Sequence, residues 1–408
     1  MQAILLDGFH EQLKAALREH TPLYGVIREP EGLANLFGPE GAAMGLPKVG
    51  EVWASPPGPD VKPEHDLRVI ATGGLNPSLS VWLDEWKKTE IRVVRQEDTY
   101  RRMPFNPTVR ERLRNSRVLL FGAGSGGGSL ALHLARAGIG HLRLADPGRF
   151  DIENVLRHEA DLTDVERLKA HIMAERMRRI NPTIEVQTYT VDLFAEGNET
   201  LRDQAFEGVD LVIGGTDRLR VQLRINEEAY RRGLSALYAG CYELAKGGEI
   251  LVVAPGRTSF CLECLRGGFR EPERQRPTDY SGVTSVADYR GEPGLAAAVD
   301  FIVNIAAPYA LGLLLQGTDT ELARLIDFQR NYVLIGGAAA KDFYLFTQPF
   351  QVFWPEVKGP RKGCTTCSEP SAAPEDVART KAEIEKLQNV PPEFASFVED
   401  KEDTSDVQ

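Results

Sequence analysis

Cysteine is scarce in this chain, with five in 408 residues. Four of them fall in two Cys-x-x-Cys pairs, Cys261/Cys264 and Cys364/Cys367, which leaves Cys241 alone. That spacing fits a metal site in a reducing compartment better than a disulfide framework. Basic charge is also short: 48 Lys and Arg stand against 59 Asp and Glu, a net charge of -11. No long basic stripe offsets the deficit, so nucleic acid is not expected as the main partner. A basic protein partner stays open. No run of about 20 apolar residues is read, which argues against a membrane span. Met1 to Asp7 lack the basic start, long apolar stretch and small-residue cleavage site of a secretory signal. A cytoplasmic location is the expectation from these absences. The rest is ordinary globular composition, with 42% hydrophobic and 26% charged residues. The length allows one large domain plus a smaller one.

Residues 1–97 read as a separate small α+β module of unknown role. Short strands are expected at Leu23 to Ile27, Val52 to Ala54, Leu67 to Ala71 and Ile91 to Val94. One helix is expected over Leu13 to Arg18, and a second around Val81, Trp82 and Trp86. Residues 98–368 alternate apolar strands with helical stretches. Strands at Val118 to Phe121, Leu142 to Ala145, Ile184 to Tyr189 and Val209 to Ile213 frame helices at Ser129 to Ala137 and Leu168 to Met177. This βαβ rhythm predicts an α/β, Rossmann-like, doubly wound sheet. Segments at Glu249 to Val253, Tyr332 to Ile335 and Phe343 to Phe346 predict a mixed continuation, and a long apolar helix is expected over Leu295 to Leu315. Residues 369–408 form a charged tail, with one helix-like stretch at Val377 to Leu387, and are expected to be partly disordered.

Gly122, Gly124 and Gly127 make a G-x-G-x-x-G spacing between a strand and a helix. Glycine there permits a tight turn and close approach of backbone to phosphate, and the helix N-terminus adds unpaired N–H groups. Asp146 ends the next strand and is placed to accept bonds from ribose hydroxyls. By itself this pattern fits redox and adenylating enzymes about equally. Asn154, Arg157 and His158 then follow, with Lys169 on a helix and Asp217 in Gly214-Gly215-Thr216-Asp217. Attack at an α-phosphorus needs cations and magnesium to spread the developing charge. Arg157 and Lys169 supply cations, Asn154 can donate to phosphate or ribose, and Asp217 is a hard oxygen ligand suited to Mg2+. A site for NAD alone does not need this cluster.

In this ordered combination the sequence resembles the ubiquitin-activating-enzyme-like adenylyltransferase superfamily. That group includes the bacterial enzymes that activate the molybdopterin-synthase and thiamine sulfur carriers. The similarity runs from about Tyr100 to Cys367 and is carried by Gly122 to Gly128, Asp146, Asn154-Val155-Leu156-Arg157-His158, Lys169 and Thr216-Asp217. It implies ATP adenylating the C-terminus of a small ubiquitin-like or sulfur-carrier protein. Asp146 would then bind ribose, Asn154, Arg157 and Lys169 the phosphates, and Asp217 the magnesium. Tyr100-Arg101-Arg102 resembles the family's Tyr-x-Arg, which implies that Arg102 reaches the partner subunit's site in a homodimer. The sequence departs from the family at Gly148, where a second aspartate is common, at His158, where glutamine is usual, and at Gln222, where arginine is common.

Two residues between thiolates let both members of a pair converge on one ion, and four thiolates close a tetrahedral site. A structural Zn2+ on Cys261, Cys264, Cys364 and Cys367 is expected, and the resemblance implies the same zinc knuckle. All seven histidines lie at or before His171, so none competes nearby. The segment from Gly267 to Leu295, where many relatives carry a thioester cysteine, has none. Cys241 reads as a buried small hydrophobe at a strand end. The expectation is acyl-adenylate formation without an own thioester, with a sulfur donor or a conjugating partner attacking afterwards. The alternatives are an NAD-dependent oxidoreductase, an adenylating enzyme for a small molecule or tRNA base, and a non-catalytic family member that serves as a binding partner.

Overall fold

The computed structural model describes residues 2–15, 20–53, 55, 58, 68–73, 77–82, 86–242, 245–266, 294–338 and 346–367. The N-terminal part contains strands β1 (Gln2–Leu6), β2 (Pro22–Arg28), β3 (Leu33–Phe37), β4 (Lys48–Trp53), β5 (Val69–Thr72), β6 (Ser78–Trp82) and β7 (Trp86–Val94). They close into a barrel in the order β1-β3-β2-β4-β5-β6-β7. Parallel pairing of β1 with β7 shuts it and removes the open edge. Side chains alternate across each strand, so Ala3 and Leu5, Ala34 and Leu36, and Leu79 and Val81 all point into one core. Helix α1 (Asp7–Lys14) adds Phe9 and Leu13 to that core. Helix α2 (Glu40–Ala43) is a single turn.

Two expectations for this part are corrected. The helix around Val81, Trp82 and Trp86 does not form, because Val81 and Trp82 belong to β6 and Trp86 opens β7. The tryptophan spacing encodes a cross-strand pair instead: Trp82 faces Trp86 in register, and the rings meet edge to face at 5.4 Å. The first helix covers Asp7–Lys14 rather than Leu13 to Arg18, and residues 16–19 lie outside the described residues.

The second part starts with α3 (Pro107–Asn115). Asn106 caps it by accepting the Val109 N–H at 2.9 Å, and Pro107 takes the first helical position. Five parallel strands follow: β8 (Arg117–Phe121), β9 (His141–Ala145), β10 (Glu185–Tyr189), β11 (Leu211–Gly214) and β12 (Ser235–Cys241). Three antiparallel ones, β13 (Gly247–Val253), β14 (Tyr332–Gly336) and β15 (Val352–Phe353), extend the sheet. The spatial order is β10-β9-β8-β11-β12-β13-β14-β15. The described helices are α4 (Ser125–Arg136), α5 (Lys169–Ile180), α6 (Glu199–Phe206), α7 (Leu219–Arg231), α8 (Leu262–Arg266), α9 (Ala296–Leu314) and α10 (Glu321–Arg324). Val118 to Phe121 are buried on both faces, as parallel strands between helix layers must be.

The chain steps outward from β8 to β10, then returns to β11 on the other side of β8. This reversal opens a crevice at the C-terminal ends of β8 and β11, where ligands bind in doubly wound sheets. The apolar α9 packs on α4, with Val299, Ile302, Val303, Ala306 and Ala310 buried. By length and composition it could cross a membrane, a run that the sequence reading did not count. Here it serves as the core helix behind the sheet, and its Asp300 accepts a hydrogen bond from Ser129 Oγ at 3.2 Å. Residues 343–345 of the strand expected to end at Phe346, residues 267–293 and the 369–408 tail lie outside the described residues.

The barrel is tied to the sheet through α5. Arg178 donates to the Ala43 carbonyl at 3.3 Å, and Arg179 donates to the carbonyls of Met44 and Gly45. These carbonyls lie at the C-terminal end of α2, where unpaired acceptors are left over.

Candidate active site

The glycine turn joins β8 to α4 at the crevice. Gly122 has φ +95°, a conformation that side chains disfavour, and a β-carbon on Gly127 would lie 2.0 Å from the Gly122 carbonyl oxygen. Gly124 differs, because a β-carbon there would meet nothing within 4 Å. No side chain caps α4. Its first-turn amides therefore face the crevice without intrahelical partners.

Two side chains hold the peptide groups flanking Ala123. Its N–H donates to Asp146 Oδ2 at 2.6 Å, and its carbonyl is 2.6 Å from His158 Nε2. Asp146 Oδ1 accepts the Gly148 N–H at 2.7 Å. A β-carbon at position 148 would sit 2.9 Å from that oxygen, and Lys169 Nζ lies 4.0 Å from the same point. Lys169 opens α5, is half-buried, and donates its own N–H to the Gly148 carbonyl at 3.0 Å. Asp146, Gly148, His158, Lys169 and the glycine turn therefore form one cluster. Burial, and next the Lys169 charge, hold the His158 imidazole below the ordinary histidine range, against the Ala123 bond and the Asp146 and Glu159 charges.

The remaining expected residues vary in how close they come. Gly215 lies against Gly122 and Gly127, which brings the exposed Asp217 to the other side of the turn. Gln222 Nε2 fixes that loop by donating to the Thr216 carbonyl at 2.6 Å. Arg157 is half-buried beside His158, and its charge reaches the thiol of Cys241 at the end of β12. Cys241 is exposed as a residue, contrary to the buried small hydrophobe expected. Protein atoms crowd its sulfur all the same and push the thiol up to about 11 against the pull of Arg157. Asn154 closes the 3-10 turn Ile152–Asn154, where its Oδ1 accepts the Asp151 N–H at 3.3 Å. Arg102 is not at this site. It sits in an exposed turn after Tyr100, whose ring packs at Gly138 beyond the C-terminal end of α4. α4, 12 residues and about 18 Å long, separates the Tyr100 end from the glycine turn.

The four late cysteines converge. Cys261 Sγ is 3.6 Å from Cys364 Sγ, Cys264 Sγ is 3.2 Å from Cys367 Sγ, and all four sulfurs lie within 4.8 Å of one another. Thiolates around a tetrahedral ion with bonds near 2.3 Å are separated by about 3.8 Å, so the group can hold a metal ion. Without a cation the crowding is unfavourable, and burial pushes Cys364 up to about 12. Glu263, which the sequence did not single out, clasps the second knuckle. Its carboxylate accepts the backbone N–H groups of Thr365 and Thr366 at 3.3 and 3.0 Å, and their hydroxyls as well.

A parallel sheet reversing at its first strand, with a glycine turn there and an aspartate just after the next strand, is a Rossmann-type arrangement. Residues 99–341 match the model of the ThiF family, so this chain belongs to the ThiF family. It is 30% identical over 166 residues to the sulfur carrier protein ThiS adenylyltransferase of Bacillus subtilis, covering 40% of this chain and 47% of that protein. It is 27% identical over 257 residues to the sulfur carrier protein adenylyltransferase of Thermus thermophilus, covering 60% of this chain and 90% of that one. It is 28% identical over 247 residues to ubiquitin-like modifier-activating enzyme 5 of Branchiostoma floridae, covering 57% and 55%. The chain spans about half the length of the first and last of these relatives.

Proposed function

We propose that this chain uses MgATP to adenylate the C-terminal glycine carboxylate of a small ubiquitin-like or sulfur-carrier protein. The observation that supports this reading is the cluster of the glycine turn, Asp146 and Lys169, with Asp146 bonded to the Ala123 and Gly148 amides. A carboxylate oxygen of the carrier forms a bond to the α-phosphorus. The bond from that phosphorus to the bridging oxygen breaks, and its electron pair leaves with pyrophosphate. Negative charge grows on the phosphates, and Lys169, Arg157 and the α4 amides neutralise it. No general base is needed, because the nucleophile is already ionised. Asp146 orients the ribose. Asn154 keeps its amide nitrogen for the phosphates, since its turn uses only Oδ1. Asp217 would hold Mg2+, which would supply further charge neutralisation. The four cysteines would hold Zn2+, which would supply structure rather than reaction chemistry.

The relatives' names support this substrate class, since two are sulfur carrier adenylyltransferases and one activates a ubiquitin-like modifier. Cys241 is a poor candidate for a thioester, because a thiol at about 11 is almost fully protonated at neutral pH. The adenylate therefore passes to a sulfur donor or a conjugating enzyme. In this reading Arg102 completes the site of the second subunit in a homodimer. The 98–368 unit carries the chemistry, the 1–97 barrel recruits the carrier or its acceptor, and the protein works in the cytoplasm. The test is carrier-dependent ATP–pyrophosphate exchange, with mass spectrometry of an AMP adduct on a small protein ending in glycine. Specific NAD binding without exchange would overturn the proposal.

A further inference from the structure

We infer that His158 is the positioning residue for the phosphate-binding turn, fixing the Ala123 carbonyl while Asp146 fixes the Ala123 amide. The inference rests on the nucleotide site proposed above and names a part of it. His158 is buried, with 9% of its surface exposed. Its Nδ1 accepts the Ala160 N–H at 3.1 Å. That nitrogen therefore carries no proton, and the ring is the neutral Nε2–H tautomer. The Nε2–H then donates to the Ala123 carbonyl at 2.6 Å. Both ring nitrogens are thus taken by backbone groups, and the ring acts on a nucleotide only through the turn.

The ring is itself held in place. Phe150, fully buried, meets it edge-on at 5.1 Å and packs with Ala160 and with Ile172 of α5. A continuous line of contacts therefore runs from the helix that carries Lys169, through Phe150 and His158, to the turn. Ala123 lies between Gly122 and Gly124, which have no β-carbons to stiffen them. Without both holds the backbone could rotate its amides away from the crevice. Glutamine can supply both bonds, an amide N–H to the Ala123 carbonyl and its Oε1 to the Ala160 N–H.

Wild type, His158→Ala and His158→Gln are compared as full-length chains. Hydrogen exchange of the segment 118–128 is followed without nucleotide, and MgATP binding by calorimetry. His158→Ala is expected to speed exchange at the turn and to weaken ATP binding, each by about tenfold, the size of one lost buried hydrogen bond. Pyrophosphate exchange at saturating ATP should fall as well, because the amides presented by the turn also neutralise the growing phosphate charge. His158→Gln should restore both binding and protection. Unchanged protection in a folded His158→Ala overturns the inference. So does a His158→Gln protein that melts like wild type yet leaves the turn unprotected, and this arm decides the matter if the alanine variant does not fold. A wild type that binds no ATP ends the adenylation reading, while the hydrogen-exchange arm still decides the role of His158.

Discussion

Lys169 is the first residue of α5, where the helix dipole disfavours a cation by about 0.3–1 kcal/mol. An ammonium there, beside Asp146 and a turn of amides without intrahelical partners, suits an anion in the crevice. Lys169→Ala should therefore lower pyrophosphate exchange at least ~100-fold while its melting temperature holds or rises slightly in calorimetry. Arg157→Ala should lower exchange to a similar degree. His158 leads to a prediction about pH. Its folded-state pKa lies below the usual 6.5, chiefly through burial. The unfolded chain therefore takes up a proton before the folded one does, and stability falls as pH drops below about 6.5. Denaturant titrations from pH 7.5 to 5 should show that loss, and His158→Gln should flatten it. At this scale Asp146 and Lys169 were legible, because strand and helix ends place them. The partner of His158 was not, since Ala123 is 35 residues away and nothing local encodes the contact.

Among elements, the β8–α4 turn separates two kinds of glycine. A β-carbon on Gly127 would collide with the Gly122 carbonyl, so Gly127→Ala should distort the turn, destabilise by at least ~2 kcal/mol and abolish nucleotide binding. Gly124 has open space around it, so Gly124→Ala should cost at most about 1 kcal/mol and act mainly on ATP affinity. Thermal melts and calorimetry on the pair would show whether the open space is the phosphate seat. For the cysteine knuckles, Cys364→Ser or a strong chelator should lower the melting temperature with loss of one metal per chain, read by elemental analysis. The parallel strands announced themselves as unbroken apolar runs such as Val118 to Phe121. The barrel was harder to read: β1 and β3 are short, half their residues face outward, and closure depends on a β1–β7 pairing between residues about 88 apart that no local pattern records. Trp82 and Trp86 misled for a related reason, since a four-residue spacing marks one helix face and here also a pair in register on neighbouring antiparallel strands.

At the scale of the whole molecule, one chain holds the crevice and Arg102 at opposite ends of α4. If each site borrows Arg102 from a second subunit, the protein should elute as a dimer. Mixing Arg102→Ala with Lys169→Ala should then regain up to about a quarter of wild-type exchange, since random pairing yields half heterodimers with one intact site each. Absence of any recovery from a mixed dimer would remove Arg102 from the reaction. The barrel adds another relationship. Arg178 and Arg179 grip it near one end of α5, and Lys169 opens the other, about 14 Å away along the helix axis. A helix is stiff along its axis. A load on the barrel carried by the two guanidinium grips would therefore be passed along α5 toward the ammonium, as if by a pushrod.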